Sequence, residues 1–176
     1  RVERTKRSIK DAFLQLRKEK PLEKITIKEL AELAFINKAT FYSHYEDIYD
    51  LSEQLENEVV ASIIEKIPSP ETLLYNSREN AKQLALSISS QNKMIDTLFS
   101  GNREALLEHK IEAAISRKIC DKYPELEENL QGKIILSILV HGGFYIFNQY
   151  GEKYDAKDII KIVSDINECL VDNFLR

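Results

Sequence analysis

The sequence predicts an all-α protein, with an N-terminal three-helix head followed by a C-terminal helical bundle. Three observations carry this. Only 5 glycines and 4 prolines occur among 176 residues. In segment after segment, apolar residues recur at i, i+3, i+4 and i+7, the period of one helix face. The β-branched residues do not alternate as they would along strands. A hydrophobic content of 43% supports a packed core. The head is expected over residues 1–46 and the body over 47–176.

The first helix is expected from about Thr5 to Lys20, with Ile9, Ala12, Phe13 and Leu16 on one stripe. Pro21 stops it. Leu22 and Ile25 lead into the stretch that organises the head, TIKELAELAFINKATFYSHY at residues 26–45. Thr26 and Glu29 have the spacing of a capping box. Ile27, Leu30, Ala31 and Ala34 then share a face, and the pattern breaks at Phe35-Ile36. Asn37 can cap a second short helix by accepting from a free N–H of its first turn. That helix is expected from about Lys38 to Tyr45. Phe41 and Tyr45 would face inward with Ile36. Lys38, Ala39, Thr40, Tyr42, Ser43 and His44 would face outward, a surface rich in hydrogen-bonding groups and without an acid. A helix-turn-helix presents such a face to the major groove. There Lys38 can reach guanine O6/N7, and Ala39 can press on a thymine methyl. Phe13, Leu16, Ile25, Leu30, Ala34, Phe41 and Tyr45 are the expected core of the head.

The residues Ala34-Phe35-Ile36-Asn37 and Thr40-Phe41-Tyr42-Ser43-His44-Tyr45 resemble the motif of the tetracycline-repressor (TetR/AcrR-type) family of bacterial transcription factors. The resemblance covers about the first fifty residues and departs from the family twice. The turn glycine is Phe35, so the turn has to be made without a residue that takes φ > 0 freely. The lysine often found four residues after the histidine is Ile48. The resemblance implies that Thr40, Tyr42 and His44 lie towards DNA phosphates, with Thr26 as a further phosphate contact. It also implies a connecting helix after the head and a body that binds a small molecule between helices. The last two helices would pair across a two-fold axis into a four-helix bundle.

The connecting helix is expected from Ile48 to about Ile67, on Ile48, Leu51, Leu55, Val59, Ile63 and Ile67, ending before Pro68-Ser69-Pro70. Body helices are expected over residues 78–90, around Met94–Phe99, over 103–122 with Pro124 closing, and over 126–150. A last helix opens near Asp155, and Gly101-Asn102 marks a break. Residues 134–147 are apolar on most sides, which calls for burial both in the body and against another subunit. The final stripe, Ile159, Ile162, Val163, Ile166, Cys169 and Leu170, is the natural neighbour. Gly142-Gly143 would permit close approach, either of a second subunit or of a bulky neighbour in the same chain. Phe99, His109 and Tyr145 are candidates for lining an effector pocket, with Tyr75 as a gate; pockets of that sort are mostly apolar with a few polar groups.

Charge is unevenly placed. Residues 1–45 hold 11 lysines and arginines against 6 acids, and residues 46–176 hold 14 against 23, for a net −4. A basic head on an acidic body suits a protein that sets one end against a polyanion. Arg4 and Lys6 are the expected weaker contacts to the DNA backbone. Cys120 and Cys169 lack metal-ligand spacing and read as free cytosolic thiols. The apolar run at 134–147 falls short of the roughly 20 residues that span a bilayer. The charged N-terminus has no signal-peptide core, so no membrane partner and a cytoplasmic location are expected. His44, His109 and His141 are far apart and have no acid or cysteine partner at ligand spacing, so no metal site is expected. There is no phosphate-cradling loop or nucleophile elbow, and no cofactor or catalytic residue is assigned.

The resulting expectation is a dimeric, ligand-responsive transcriptional regulator, a repressor that binds a palindromic operator in double-stranded DNA and is released by a small molecule. A co-regulator acting through a protein partner, with weak DNA binding of its own, is the alternative that Ile48 motivates. A small helical enzyme is a third.

Overall fold

A computed structural model describes residues 2–66 and 77–174, and every regular element among them is helical. The order is α1 (Val2–Glu19), a 3₁₀ turn (Leu22–Lys24), α2 (Ile27–Leu33), α3 (Lys38–Tyr42), α4 (Ile48–Glu65), α5 (Ser77–Ser90) and α6 (Asn92–Leu98). A second 3₁₀ turn (Gly101–Arg103), α7 (Glu104–Cys120), α8 (Glu125–Glu128), α9 (Leu130–Tyr150) and α10 (Ala156–Phe174) follow. The expected end of the connecting helix before Pro68 agrees with α4 stopping at Glu65; Ile67, Pro68, Ser69, Pro70 and Tyr75 lie outside the described residues.

The chain forms two compact units, one of Arg1–Val59 and Asn92–Glu104, the other of Val60–Gln91 and Ala105–Arg176. The first contains the whole expected head and more. Its α1 buries Ile9, Ala12, Phe13 and Leu16, the four residues of the amphipathic stripe. Leu22, Ile25, Leu30, Ala34, Phe41 and Tyr45 are buried as well, and Ile48, Leu51 and Leu55 bring α4 into the same unit. Burial of such side chains contributes roughly 1.5–3 kcal/mol each.

A buried ionic cluster also lies in this unit. Glu56 of α4 is only 1% exposed. Its Oε1 accepts from Arg103 Nη2 at 2.6 Å and from the buried Ser52 hydroxyl at 2.8 Å. Arg17 of α1 is buried and donates to the carbonyls of Lys20 (3.1 Å) and Leu98 (3.4 Å) and to the Ser100 hydroxyl (3.3 Å). Burial lowers the Arg17 pKa, and the nearby Arg103 charge lowers it further.

In the second unit α10 packs on both α5 and α9, and α9 on α8. The single helix expected over 126–150 is two helices, broken at Asn129, which takes an extended conformation with ψ 123°. The Asn129 side chain accepts from the Gln131 N–H at 2.9 Å, so it caps the new helix instead of continuing the old one. Gly132 is required just beyond: a Cβ there would lie 2.8 Å from the Leu126 carbonyl oxygen.

The apolar face of α10 divides. Ile159, Val163 and Val171 are buried, whereas Ile162 is 60% exposed and Ile166 and Cys169 are also exposed. On α9, Ile135 and Leu136 are buried while Leu130, Ile134 and Ile138 are exposed. The apolar arc is wider than its described neighbours in this chain cover. Gly142 and Gly143 meet nothing within 4 Å of a built Cβ, so the bulky same-chain neighbour does not exist among the described residues.

Removing one partner of a buried ion pair leaves the other charge uncompensated. Glu56→Ala should therefore cost about 3 kcal/mol in unfolding free energy. Urea denaturation of variant and wild type checks this. A loss below ~1 kcal/mol would mean that water replaces the carboxylate at little cost.

Candidate nucleic-acid interface

The stretch from Thr26 to Tyr45 is set by local hydrogen bonds that the sequence encodes. The Thr26 hydroxyl accepts from the Glu29 N–H at 3.3 Å, and Glu29 Oε1 accepts from the Thr26 N–H at 3.3 Å, a closed capping box. Glu29 also meets the Lys20 ammonium at 2.6 Å, which ties the start of α2 to the segment following α1. The Lys20 hydrogen bond, opposed by partial desolvation and aided by the Thr26 N–H, holds the Glu29 carboxyl below its ordinary range.

The turn between α2 and α3 is made without a glycine, and its geometry is left-handed all the same. Phe35 does take the left-handed conformation, with φ +55°. The Ile36 N–H reaches the Ala31 carbonyl at 2.9 Å and the Phe35 N–H reaches that of Glu32 at 3.2 Å. These are the two bonds of a Schellman motif, which needs a left-handed residue at the position Phe35 occupies. The ring gains nothing for the core, since Phe35 is 95% exposed.

Asn37 then caps α3 as expected: its Oδ1 accepts from the Thr40 N–H at 2.7 Å and from the Thr40 hydroxyl at 2.9 Å. The regular helix ends at Tyr42, short of the expected Tyr45. The His44 N–H turns back to the Phe41 carbonyl at 2.9 Å, tightening the last turn. The Ser43 hydroxyl donates to the Thr40 carbonyl at 2.7 Å. Phe41 and Tyr45 are buried with ring centroids 5.7 Å apart, and burial raises the Tyr45 phenol pKa, helped by the charges of Glu58, Asp50 and Glu3.

Outward stand Thr26, Lys38, Ala39, Tyr42 and Ser43, all exposed, with Thr40 and His44 half-buried. No acid interrupts residues 37–45. Lys38 and Tyr42 present their donors to solvent. The hydroxyls of Thr40 and Ser43 donate within the helix and face outward chiefly as acceptors. Arg4 is exposed and Lys6 half-buried in the first turns of α1. Ile48 is buried, so this position serves packing and not a phosphate.

The three effector candidates are divided between the two units, Phe99 in the first and His109 and Tyr145 in the second. Phe99 belongs to the first unit and is buried. Tyr145, in the second, is exposed on α9. His109, on α7, has an unexpected neighbourhood: its Nδ1 lies 3.9 Å from Glu112 Oε2, and His141 Nε2 of α9 lies 2.7 Å from the same oxygen. The expectation that the histidines lack an acid partner is therefore wrong for these two. The signal available was the His109–Glu112 spacing of i, i+3, which puts both on one face of a helix.

Over 89 residues the chain is 27% identical to a Bacillus subtilis (strain 168) protein named as the uncharacterized HTH-type transcriptional regulator YxbF. The match takes in 48% of this chain and 23% of that relative, so the chain spans about a quarter of the relative's length. No family model matches the chain. No solved structure matches it.

Left-handed φ at a residue with a Cβ costs of order 1–2 kcal/mol, whereas glycine adopts it freely. Phe35→Gly should therefore stabilise the protein by about 1 kcal/mol, since the exposed ring gives up no core contact. Thermal or urea unfolding measures this, and a variant less stable than wild type would mean that the ring packs in solution.

Proposed function

We propose that this chain is a sequence-specific DNA-binding transcriptional regulator whose α3 enters the major groove of a duplex. One observation carries the reading. A capping box, a Schellman turn and an Asn cap hold two short helices in succession, with Phe41 and Tyr45 inward and an acid-free polar row outward. Lys38 and Ala39 read base edges, and Thr26, Tyr42 and His44 lie against phosphates, with Thr40 and Ser43 accepting hydrogen bonds at the same face. Arg4 and Lys6 add contacts to the backbone. The printed name of the Bacillus relative supports a regulator of the helix-turn-helix type. No described helix is long and apolar enough to cross a membrane.

The chain acts as a homodimer through α9 and α10, on this reading. Its support is the exposed apolar row of Leu130, Ile134 and Ile138 on α9 and of Ile162 and Ile166 on α10, with Gly142 and Gly143 open beside it. Pairing these faces would bring two recognition helices to a palindrome, whose half-sites lie about 34–36 Å apart or at a multiple of that. The regulator is a repressor, and an effector bound to the C-terminal body releases it from DNA.

Two measurements test this. Against a duplex selected from random sequence, Lys38→Ala should cost about 1–3 kcal/mol and relax preference at one position per half-site. His44→Ala should weaken all duplexes alike. A chain that binds selected and scrambled duplexes equally would replace this reading with that of a co-regulator working through a protein partner. Separately, Ile162→Asp should convert a dimer into a monomer of unchanged helicity, because Ile162 is exposed in the single chain. A wild type that sediments as a monomer at micromolar concentration would remove the dimer.

A further inference from the structure

We infer that His109, Glu112 and His141 bind a divalent transition-metal ion of the zinc type, with one coordination position left open. Their ligand atoms lie within 4.8 Å of one another, contributed by two helices of the same unit. Two imidazoles and a carboxylate are a ligand set that zinc uses when it keeps a fourth position for water or another ligand. Imidazole favours zinc, nickel, cobalt and copper over magnesium or calcium, which take oxygen ligands.

The geometry is close to what an ion needs. Donor atoms around a tetrahedral zinc at ~2.0–2.1 Å stand about 3.3 Å apart. Glu112 Oε2 is 2.7 Å from His141 Nε2 and 3.9 Å from His109 Nδ1, one shorter than that spacing and one longer. Relative to Glu112 Oε2, His141 would move outward and His109 inward, each by about half an ångström. His109 can move, since its side chain is 68% exposed. The rings meet edge to face at 87°, with centroids 5.5 Å apart, so they do not stack across the space between them. The carboxylate is the least exposed of the three groups, and its other oxygen is held: the Ser137 hydroxyl donates to Glu112 Oε1 at 3.1 Å. Such an outer hydrogen bond fixes the orientation of a ligating carboxylate.

A dication with one carboxylate and two neutral imidazoles keeps a net positive charge, so the open position favours water or an anionic ligand. Resting on the regulatory reading above, this ion is the effector, alone or with such a ligand, because the site lies in the C-terminal body.

The test uses the full, tag-free chain carrying Cys120→Ser and Cys169→Ser, so that neither thiol holds metal. Co²⁺ titration should give one equivalent per chain with the visible absorption of a low-coordinate cobalt centre, and Zn²⁺ should displace it while millimolar Mg²⁺ does not. Glu112→Gln and His141→Ala should each weaken Zn²⁺ binding by roughly 100-fold and Ser137→Ala by roughly 10-fold. Absence of stoichiometric cobalt absorption, or unchanged Zn²⁺ affinity in Glu112→Gln and His141→Ala, overturns the site. A second arm measures affinity for the selected duplex with and without Zn²⁺. Unchanged affinity in a chain that binds both Zn²⁺ and DNA overturns the effector role alone. Failure to bind the duplex at all overturns the regulatory reading, and the site then stands or falls on the first arm.

Discussion

The buried carboxylate of Glu56 is the constraint on which the N-terminal unit turns. A charge removed from water is costly unless paired and hydrogen-bonded. Here the partners come from separate parts of the chain: Ser52 one turn back on α4, and Arg103 from the 3₁₀ turn after α6. Arg17 brings a second positive charge close by, anchored on Lys20, Leu98 and Ser100. Because those acceptors are mostly main-chain carbonyls and a hydroxyl, α1 is held in one register against residues 98–100. The segment from Lys20 then fixes α2 through Glu29. The position of α3 thus depends on charged residues outside α3 itself.

Within that frame the interface is shaped by competition for hydrogen bonds. A short helix leaves most of its N–H and C=O groups without helical partners. Asn37 satisfies the start of α3, and Ser43 returns a hydroxyl to its end. Asn37 Oδ1 and the Thr40 carbonyl also take the hydroxyl protons of Thr40 and Ser43, which leaves Lys38, Tyr42 and His44 as the donors of this outward face. Phe35 carries the opposite compromise. The turn geometry needs a left-handed residue, and the side chain present is fully solvated there, so backbone strain is accepted without any return in packing.

In the C-terminal unit, two surfaces lie on α9. One is the exposed apolar row at Leu130, Ile134 and Ile138, which continues in kind with Ile162 and Ile166 of α10. The other is the polar group at His141, where the helix faces Glu112 and His109 of α7. An apolar face invites a second chain, and a carboxylate between two imidazoles suits a cation.

Much of this was legible in the residues. Helix stripes, the capping box at Thr26 and the Asn37 cap are interactions between residues three or four apart, and a sequence displays those directly. The all-α class, the buried set from Ile9 to Tyr45 and the outward row of α3 follow from that local periodicity. The break at Asn129 was missed because the apolar pattern runs on past it, while the side chain chose capping. Periodicity likewise shows that α10 has an apolar arc but not which part meets its own chain, since that depends on where α5 and α9 lie. The cluster of Glu56, Arg103 and Arg17 and the meeting of His141 with Glu112 were decided by tertiary structure, whereas the spacing of His109 and Glu112 was local. Glu56–Arg103 and Glu112–His141 join residues 47 and 29 positions apart, and only chain packing brings such groups within hydrogen-bonding range.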